Sequence, residues 1–348
     1  MTKSLLGLFA AASLAVLAAC SETPAGEDAP PADAGEINLY SSRHYDTDLA
    51  LYDDFTKATG IKVNRIEADA DALIERIQSE GEFSPADLLI TVDAGRLWRA
   101  EEAGIFASVD SPVLKERLPS HLRHPDGLWF GLSTRARIII YNKAKGVPEG
   151  LTSYADLAKP AFKGQICVRS SSNIYNISLL SSVIAHKGAA EAEKWAKGVV
   201  ANFARAPEGN DTSNIDAVAS GECRISVVNT YYLARYAGDP EKKAVFDAIG
   251  VIFPDQDGTG THVNISGAGL VKTAPNRANA IKFLEYLTEE KAQRYFADGN
   301  NEYPAVIGLK ANSAVEKLGT FKPDTLNAAE IGKGQAEAVK IFDRAGWK

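Results

Sequence analysis

The sequence predicts an α/β protein with two lobes and mostly parallel sheets. Short apolar runs of strand length alternate along the chain with longer segments that carry apolar residues at helical spacing. Such alternation is typical of parallel strands that are joined by helical crossovers. More than 300 residues remain once the N-terminal leader and tether described below are set aside, and a body of that length suggests two hydrophobic cores.

The N-terminus has the pattern of an export signal. Lys3 precedes an apolar run from Leu5 to Ala19 that is short for a membrane span. The run ends in Leu17-Ala18-Ala19-Cys20, which resembles a bacterial lipobox, although an ordinary cleavage site with a chance cysteine is the alternative. We predict a lipoprotein signal peptide over residues 1–20 and lipidation of Cys20. The protein would then lie in the periplasm or cell envelope, held to a bacterial membrane by its lipid alone.

Residues 21–35 form an acidic segment that is rich in Ala and Pro and lacks apolar periodicity. A segment of this composition cannot bury enough surface to order itself, so we predict a disordered tether. The whole chain has a formal net charge of -7 and no cluster of Lys and Arg. Nucleic acid is therefore excluded as a partner, because phosphate binding needs a basic footprint.

The strands and helices of the body can be assigned in chain order. The predicted strands are Ile37–Tyr40, Ile61–Ile66, Asp87–Val92, Ile138–Tyr141, Ile166–Val168, Ile225–Val228 and Gly250–Phe253. A first helix over Asp48–Thr59 would be capped by Asp46 or Asp48 and ended by Gly60. Late in the chain, we predict two helices within residues 278–296 and one helix over residues 328–342.

Two cysteines remain after Cys20 is assigned to the lipid. Cys167 and Cys223 each stand near the start of a predicted strand. An even remainder in an oxidising compartment is compatible with one structural disulfide, and the chain has no CxxC pair that would favour a redox or metal role. We therefore treat Cys167 and Cys223 as a disulfide candidate.

Two adjacent tyrosines, Tyr231 and Tyr232, follow the predicted strand Ile225–Val228 and open a helical run. Neighbouring side chains of a regular strand point to opposite faces, but at a strand-to-helix break both phenols can face one cleft. Phenol oxygens are hard donors that suit a hard cation such as ferric iron. The alternative is that both rings are large amphipathic packing residues.

Other segments join this pair in a recognisable pattern: Tyr40–Tyr45, Ser133–Arg137, Arg169–Asn176 and Asn229–Tyr232. Together with the export signal, they resemble the periplasmic ferric-iron-binding proteins of ABC transporters, of the FutA/FbpA type, over nearly the whole body. The resemblance implies a two-lobed periplasmic binding protein fold, with a hinge of crossing strands near Ser133 and near His262. It also implies a non-enzymatic role, in which Fe³⁺ is carried to an inner-membrane ABC permease and its ATPase.

The resemblance further implies a set of metal-site residues: Tyr45 from the first lobe, Tyr175, Tyr231 and Tyr232 from the second, and His44 beside or on the metal. Arg135 would lie near the cleft and balance charge or hold an anion. Arg137 and Arg43 compete with it for that role. The implied lobes are residues 36–133 with 262–308, and residues 134–261 with 309–348, in a protein that we expect to be monomeric.

These residue types suit ferric iron. A tyrosine ordinarily titrates near pH 10, and a nearby trivalent cation stabilises its phenolate at neutral pH. Four phenolates around Fe³⁺ leave one surplus negative charge, which a guanidinium such as that of Arg135 would offset. Fe²⁺ gains less from four phenolates, so reduction should favour release. Ligands on both lobes would couple binding to hinge closure.

Two other functions stay open from the residues alone. A solute-binding protein of this shape could take a small anion or organic ligand, such as phosphate, a sulfonate, thiamine or a polyamine. Hydroxyls of Ser170–Ser172 at a helix N-terminus would suit an anion, but the tyrosines would then have no role. An exported enzyme such as a lyase could use Tyr, His and Arg, although GxSxG, HExxH and a Cys–His pairing are absent from the sequence.

Overall fold

The computed structural model describes residues 34–43 and 45–348. The predicted signal peptide, Cys20, nearly all of the predicted tether and His44 lie outside the described residues.

The strands of the described residues are β1 (Glu36–Ser41), β2 (Lys62–Glu67), β3 (Leu88–Val92), β4 (Phe106–Ala107), β5 (Phe130–Asn142), β6 (Ile166–Cys167), β7 (Ile225–Asn229), β8 (Ile249–Ile252), β9 (Val263–Val271) and β10 (Tyr303–Pro304). The α-helices are α1 (Asp46–Thr59), α2 (Ala70–Glu80), α3 (Ala94–Glu102), α4 (Pro112–Arg117), α5 (Ile174–Lys187), α6 (Ala189–Ala201), α7 (Asp211–Ser220), α8 (Thr230–Gly238), α9 (Lys243–Ala248), α10 (Arg277–Tyr286), α11 (Glu290–Arg294), α12 (Ser313–Glu316), α13 (Ala328–Lys333) and α14 (Gln335–Ala345). Short 3₁₀ segments and one π-helical segment, Tyr295–Gly299, complete the regular elements of the described residues.

The strands follow the order β2-β1-β3-β9-β5-β7-β6, with β4 beside β9 and with β8 and β10 beside β5. Strand β5 crosses between the two halves of this order. Its residues 130–136 pair with β9, and its residues 137–142 pair with β7 and β8. The predicted α/β fold with a hinge of crossing strands is therefore present.

The sheets are mixed rather than mostly parallel, which corrects the prediction. Parallel pairing joins β1 to β2 and β3, and joins β6 to β7. Strand β9 is antiparallel to β3 and β5, and β5 is antiparallel to β7, β8 and β10. The reason is that the chain leaves the first half along β5 and returns into it along β9, so these two strands run in opposite directions.

Apolar side chains are buried in separate groups. One group belongs to the first half and includes Phe55, Trp129 and Phe283. The second half has a group on each face of its sheet, because Ile139 joins one group while Ile138 and Ile140 join the other. Separate cores agree with two lobes. Helix α13 packs against both α3 and α5, and its alanines join the core of the first half.

Cys167 at the end of β6 and Cys223 just before β7 form a disulfide, with Cα atoms 5.9 Å apart. Strands β6 and β7 lie side by side in parallel, which brings the two cysteines together. Across the described part of the chain, no helix has both the length and the apolarity that a bilayer crossing requires.

Helix α1 shows how one local prediction failed. Its N-cap residue is Tyr45, in an extended conformation and without a side-chain cap, rather than Asp46 or Asp48. The carboxylate of Asp48 is fully buried and instead accepts a hydrogen bond from Arg43 at 2.9 Å. An ion pair between neighbouring segments has taken the place of a helix cap. Gly60 ends the helix in the left-handed conformation, as predicted.

Candidate functional site

The two adjacent tyrosines stand where β7 turns into α8. Asn229 is the last residue of the strand and has extended backbone angles, and Tyr231 and Tyr232 are the second and third residues of the helix. Their ring centroids are 4.3 Å apart, with 31° between the ring planes. The turn therefore places both rings side by side. Tyr231 is 2% exposed, whereas Tyr232 is half-buried.

Tyr175 comes from a distant segment and joins this pair. It is the second residue of α5, and its backbone N–H donates to the side chain of the N-cap residue Asn173 at 3.2 Å. The Tyr231 hydroxyl donates to the Tyr175 hydroxyl at 3.2 Å. Burial raises the pKa of Tyr175 to about 12, and the Tyr232 phenol adds to this, while Arg135 opposes it. Burial likewise raises the pKa of Tyr231 well above its ordinary value, helped by Tyr175 and Tyr232.

Tyr45 brings the first half of the chain to the same place. The Arg235 guanidinium carbon on α8 lies 5.9 Å from the Tyr45 ring centroid, 5.3 Å from that of Tyr231 and 5.4 Å from that of Tyr232. Burial raises the pKa of Tyr45, and the Glu302 carboxylate adds to the effect, although Arg43, Arg135 and Arg235 oppose it. The structure thus gathers all four predicted tyrosines. His44, which precedes Tyr45, lies outside the described residues.

Arg135 on β5 is 1% exposed and lies within electrostatic reach of the tyrosines. Its Nη2 donates to Ser266 Oγ at 2.7 Å and to Glu302 Oε1 at 3.3 Å. Its Nε and Nη1 are buried and have no hydrogen-bond partner. Burial acts to lower the pKa of Arg135, but Glu302 and the phenols of three tyrosines outweigh it, and the pKa is raised. The side chain is therefore a buried cation with donors to spare.

Glu302 neutralises much of this charge. It is 1% exposed on its side chain, and it accepts hydrogen bonds from Ser133 Oγ at 2.9 Å and from Arg43 Nη1 at 3.1 Å, in addition to that from Arg135. Arg43 also forms an ion pair with Asp48. Two guanidinium groups and two carboxylates make this buried cluster neutral.

A second buried cluster carries a net positive charge. Arg137 Nη1 donates to Asp211 Oδ2 at 2.6 Å, and Arg169 Nη1 donates to Asp211 Oδ1 at 3.4 Å. The guanidinium carbons of Arg137 and Arg169 are 5.8 Å and 5.4 Å from the Tyr175 ring centroid. Two arginines thus share the carboxylate of Asp211 beside Tyr175, which is one of the predicted metal ligands.

Comparison with known proteins decides the family. The family of bacterial extracellular solute-binding proteins matches residues 83–323 of this sequence. The chain belongs to that family. The resemblance seen in the sequence is confirmed, and the family consists of binding proteins rather than enzymes, in agreement with the prediction.

Individual relatives of this solute-binding protein are similar over most of their length. Iron uptake protein A1 of Synechocystis sp. is 52% identical over 339 residues, which cover 96% of this chain and 93% of the relative. A solved structure of Trichodesmium IdiA (FutA), in complex with iron and citrate, has a TM-score of 0.87 at 58% identity and covers 90% of this chain and 100% of that chain. A ferric binding protein from Campylobacter jejuni has a TM-score of 0.84 at 41% identity, with coverage of 90% and 100%.

Charged residues around the tyrosines of this solute-binding protein do not balance. Among the described residues that contact the tyrosines or the two ion-pair clusters, five arginines stand against the carboxylates of Asp48, Asp211 and Glu302, which leaves two positive charges in surplus. The surplus lies on the Arg137–Arg169 side and on Arg235, while Arg135 is largely neutralised. A surplus of positive charge favours a bound complex with a net negative charge. A metal ion whose phenolate ligands carry more charge than the metal itself is such a complex.

Several of these residues escaped the sequence analysis. Glu302, Asp211 and Arg235 were assigned no role, because each acts on partners from distant segments. Glu302, for example, lies 259 positions from its partner Arg43. For Arg235 a signal did exist, since it follows Tyr231 by four positions and so shares its face of α8.

The described residues contain no group of three His, Cys, Asp or Glu side chains that could hold a metal ion. The gathered phenols are therefore the hard-donor set that this part of the chain offers. As neutral phenols they accept and donate hydrogen bonds, and as phenolates they can ligate a hard trivalent cation.

Proposed function

We propose that this protein binds ferric iron through the phenolates of Tyr45, Tyr175, Tyr231 and Tyr232 and delivers it to an ABC-type importer. The observation that carries the proposal is the convergence of these four tyrosines, from three distant segments, beside an excess of arginine. The names of the relatives, an iron uptake protein and a ferric binding protein, support the same ligand.

The charges of the site support a trivalent ion. Burial keeps the phenols of Tyr45, Tyr175 and Tyr231 protonated at neutral pH, so the empty site avoids a cluster of anions. Fe³⁺ supplies the field that ionises them, and four phenolates then exceed its charge by one. The surplus positive charge of the surrounding arginines offsets that remainder.

His44 and Arg135 complete the proposed site. His44 precedes Tyr45 in sequence and would either ligate the metal or stand beside it. The unpartnered Nε and Nη1 of Arg135 would donate to a phenolate oxygen or to an anion that is bound together with the iron. Tyr45 belongs to the first half of the chain and the other tyrosines to the second, so iron would hold the two lobes together.

Delivery follows from that closure. We propose that residues 36–133 with 262–308 and residues 134–261 with 309–348 act as the two lobes. The closed, loaded monomer would dock on an inner-membrane permease coupled to an ATPase. Lipidation at Cys20 would keep the protein at the membrane, with residues 21–35 as its tether.

A visible absorption titration with ferric citrate tests the proposal. Phenolate bound to Fe³⁺ should give a charge-transfer band that saturates at one iron per protein. Tyr175→Phe should weaken or abolish the band. Tyr236→Phe is the control and should retain it, because Tyr236 lies on α8 with Tyr231 and Tyr232 but its hydroxyl donates to Asp216, outside the site. A saturating excess of iron that yields no band would refute the phenolate site.

A further inference from the structure

A cavity lies in the latter half of the chain, and none of the four tyrosines lines it. Its volume is about 600 Å³, which is in the range of small-molecule sites. Helices α5 and α6, the 3₁₀ segment Ala155–Ala158 and the turn that leads from β8 into β9 form its walls. Asp324, from the segment before α13, closes one side.

One wall of this cavity is apolar and firmly held. Trp195 is 8% exposed, and its indole N–H donates to the backbone oxygen of Tyr154 at 2.7 Å. Val183, Ala155 and Ala158 continue the apolar surface. An apolar group of a ligand could therefore pack here without displacing a polar contact.

Two partly or fully buried carboxylates line the same cavity. Asp324 is buried and accepts a hydrogen bond from the ring of His186 at 2.7 Å. Asp255 is half-buried and is fixed in the left-handed region at φ 61°, because its backbone N–H donates to the Thr152 oxygen at 2.9 Å. Burial raises the pKa of Asp255, and the carboxylates of Asp156 and Asp324 add to this, while a hydrogen bond from the Tyr154 backbone N–H and the charge of Lys187 oppose it. The negative charge is thus only partly compensated.

His262 supplies an unpaired polar group in the same cavity. It is 3% exposed, it lines the cavity, and its Nδ1 is buried without a hydrogen-bond partner. Burial lowers the pKa of His262 to about 4, so the ring is neutral at pH 7 and does not repel a cation. A buried polar atom without a partner is costly, and it favours a site that a polar ligand completes.

The two lysines of the cavity lie at its rim, whereas His186 lies deeper and pairs with Asp324. Lys187 and Lys194 are both exposed, and Lys194 pairs with Glu191 at 2.8 Å. The carboxylates lie deeper, and charges in a less hydrated place act more strongly than exposed ones. We propose that this cavity binds a small organic cation, with its ammonium group against Asp255 and Asp324 and its apolar body against Trp195.

Calorimetric titration of the purified protein tests whether the cavity prefers a cation. The three probes, benzylammonium, benzyl alcohol and benzoate, have similar shapes and differ in charge. Benzylammonium should bind in a saturable, one-to-one manner and at least about tenfold more tightly than benzyl alcohol, as expected for a hydrogen-bonded charge. Benzoate should bind more weakly than both. Absence of saturable benzylammonium binding, or binding of benzoate that equals it, would overturn the proposal without recourse to any variant.

A matched pair of variants locates the site. Asp255→Asn should weaken benzylammonium binding at least about tenfold, and it should fold because Asn tolerates the left-handed conformation as Asp does. Asp257→Asn changes an exposed neighbour in the same turn that does not line the cavity, and it should bind like the natural protein. Equal affinities of the two variants would place the cation elsewhere. Iron titration of each variant provides an independent check that the protein is folded.

Discussion

At the scale of single residues, the proposed iron site consists of phenols that burial keeps neutral until iron binds. Burial raises the pKa of Tyr175 to about 12, and it raises the pKa values of Tyr45 and Tyr231 as well. Binding as phenolates must therefore release protons, and acid must oppose binding. The same burial keeps Tyr45, Tyr175 and Tyr231 uncharged beside one another when iron is absent.

We expect ferric affinity to fall steeply as the pH is lowered. Each phenol that is protonated in the free protein and ionised in the complex contributes one released proton, so affinity rises with pH throughout the range below the phenol pKa values. Competition with citrate, measured from pH 5 to pH 8 and corrected for protonation of citrate, would show the slope. An affinity independent of pH would contradict ligation by phenolates.

Arg135 provides a second test at this scale. Arg135→Gln removes a buried charge near three of the tyrosines, and we expect ferric affinity to fall by about tenfold to a hundredfold. Arg135→Lys keeps the charge but not the planar set of donors, so it should restore part of the affinity. Citrate competition at constant pH measures both. Equal affinities of the Gln variant and the natural protein would show that the charge of Arg135 does not act on the metal.

Glu302 tests the neutral cluster. Glu302→Gln leaves the buried guanidinium groups of Arg43 and Arg135 without their shared carboxylate, and we expect a loss of about 3–5 kcal/mol in the free energy of unfolding. Urea unfolding measures this loss. Glu241→Gln, at an exposed position, is the control and should change stability by less than about 0.5 kcal/mol. A Glu302 variant as stable as this control would rule out the cluster as a stabilising element.

The sequence, with the family resemblance, allowed the tyrosines and Arg135 to be predicted, but not Glu302, Asp211 and Arg235 around them. Tyr231 and Tyr232 carry a local signal, because a strand followed by a helix lets neighbouring side chains converge. Glu302 carries none, since its partners Arg43 and Arg135 are 259 and 167 positions away. Pairings over such separations depend on the register of β5, β9 and β10, which residue spacing does not reveal.

At the scale of elements, strand β5 organises the hinge. The apolar run Ile138–Tyr141 predicted a short strand, whereas β5 has 13 residues and extends back to Phe130. The missed part, with Ser133, Thr134 and Arg135, is polar and buried at the crossing. Polar residues gave no strand signal because their partners are other buried polar groups rather than an apolar core. The sheets were predicted to be mostly parallel for a related reason: the apolar pattern did not show the crossing segment as a strand, and only the family resemblance implied it.

The C-terminal helix shows a related limit. Residues 328–342 predict one amphipathic helix, but α13 and α14 are separated at Gly334. A Cβ at Gly334 would lie 3.0 Å from Ser181 Cβ on α5, so the break occurs where the chain passes close to another helix. Because the apolar periodicity continues through Gly334, the sequence pattern predicted one continuous helix and did not reveal the break.

The disulfide between the neighbouring strands β6 and β7 gives a prediction at this scale. It closes a loop of 56 positions, and removing it in a Cys167→Ala, Cys223→Ala double variant should lower the free energy of unfolding by about 4 kcal/mol. The iron band should be retained, because neither cysteine belongs to the tyrosine site. Urea unfolding and ferric titration of the same sample measure both effects. A variant that keeps full stability would contradict a structural role for the bond.

At the scale of the whole molecule, separate cores and a crossing strand make relative movement of two lobes possible. The chain length predicted two lobes, and the buried apolar groups bear this out. The precise division was harder to foresee. Helix α13 contacts elements of both halves, and its alanines join the first core.

Iron should make the molecule more compact. Tyr45 lies on one half and the remaining tyrosines on the other, so a shared metal holds the halves together. We expect small-angle X-ray scattering to show a smaller radius of gyration with ferric iron than without it. Tyr45→Phe should bind iron through the second half alone and show little contraction. A radius that iron leaves unchanged in the natural protein would argue against closure.

X-ray diffraction from ferric-loaded crystals at the iron absorption edge tests whether four tyrosines hold the iron. We expect an anomalous peak within bonding distance of the phenol oxygens of Tyr45, Tyr175, Tyr231 and Tyr232. A peak at any other place, or one that these oxygens do not surround, would contradict it.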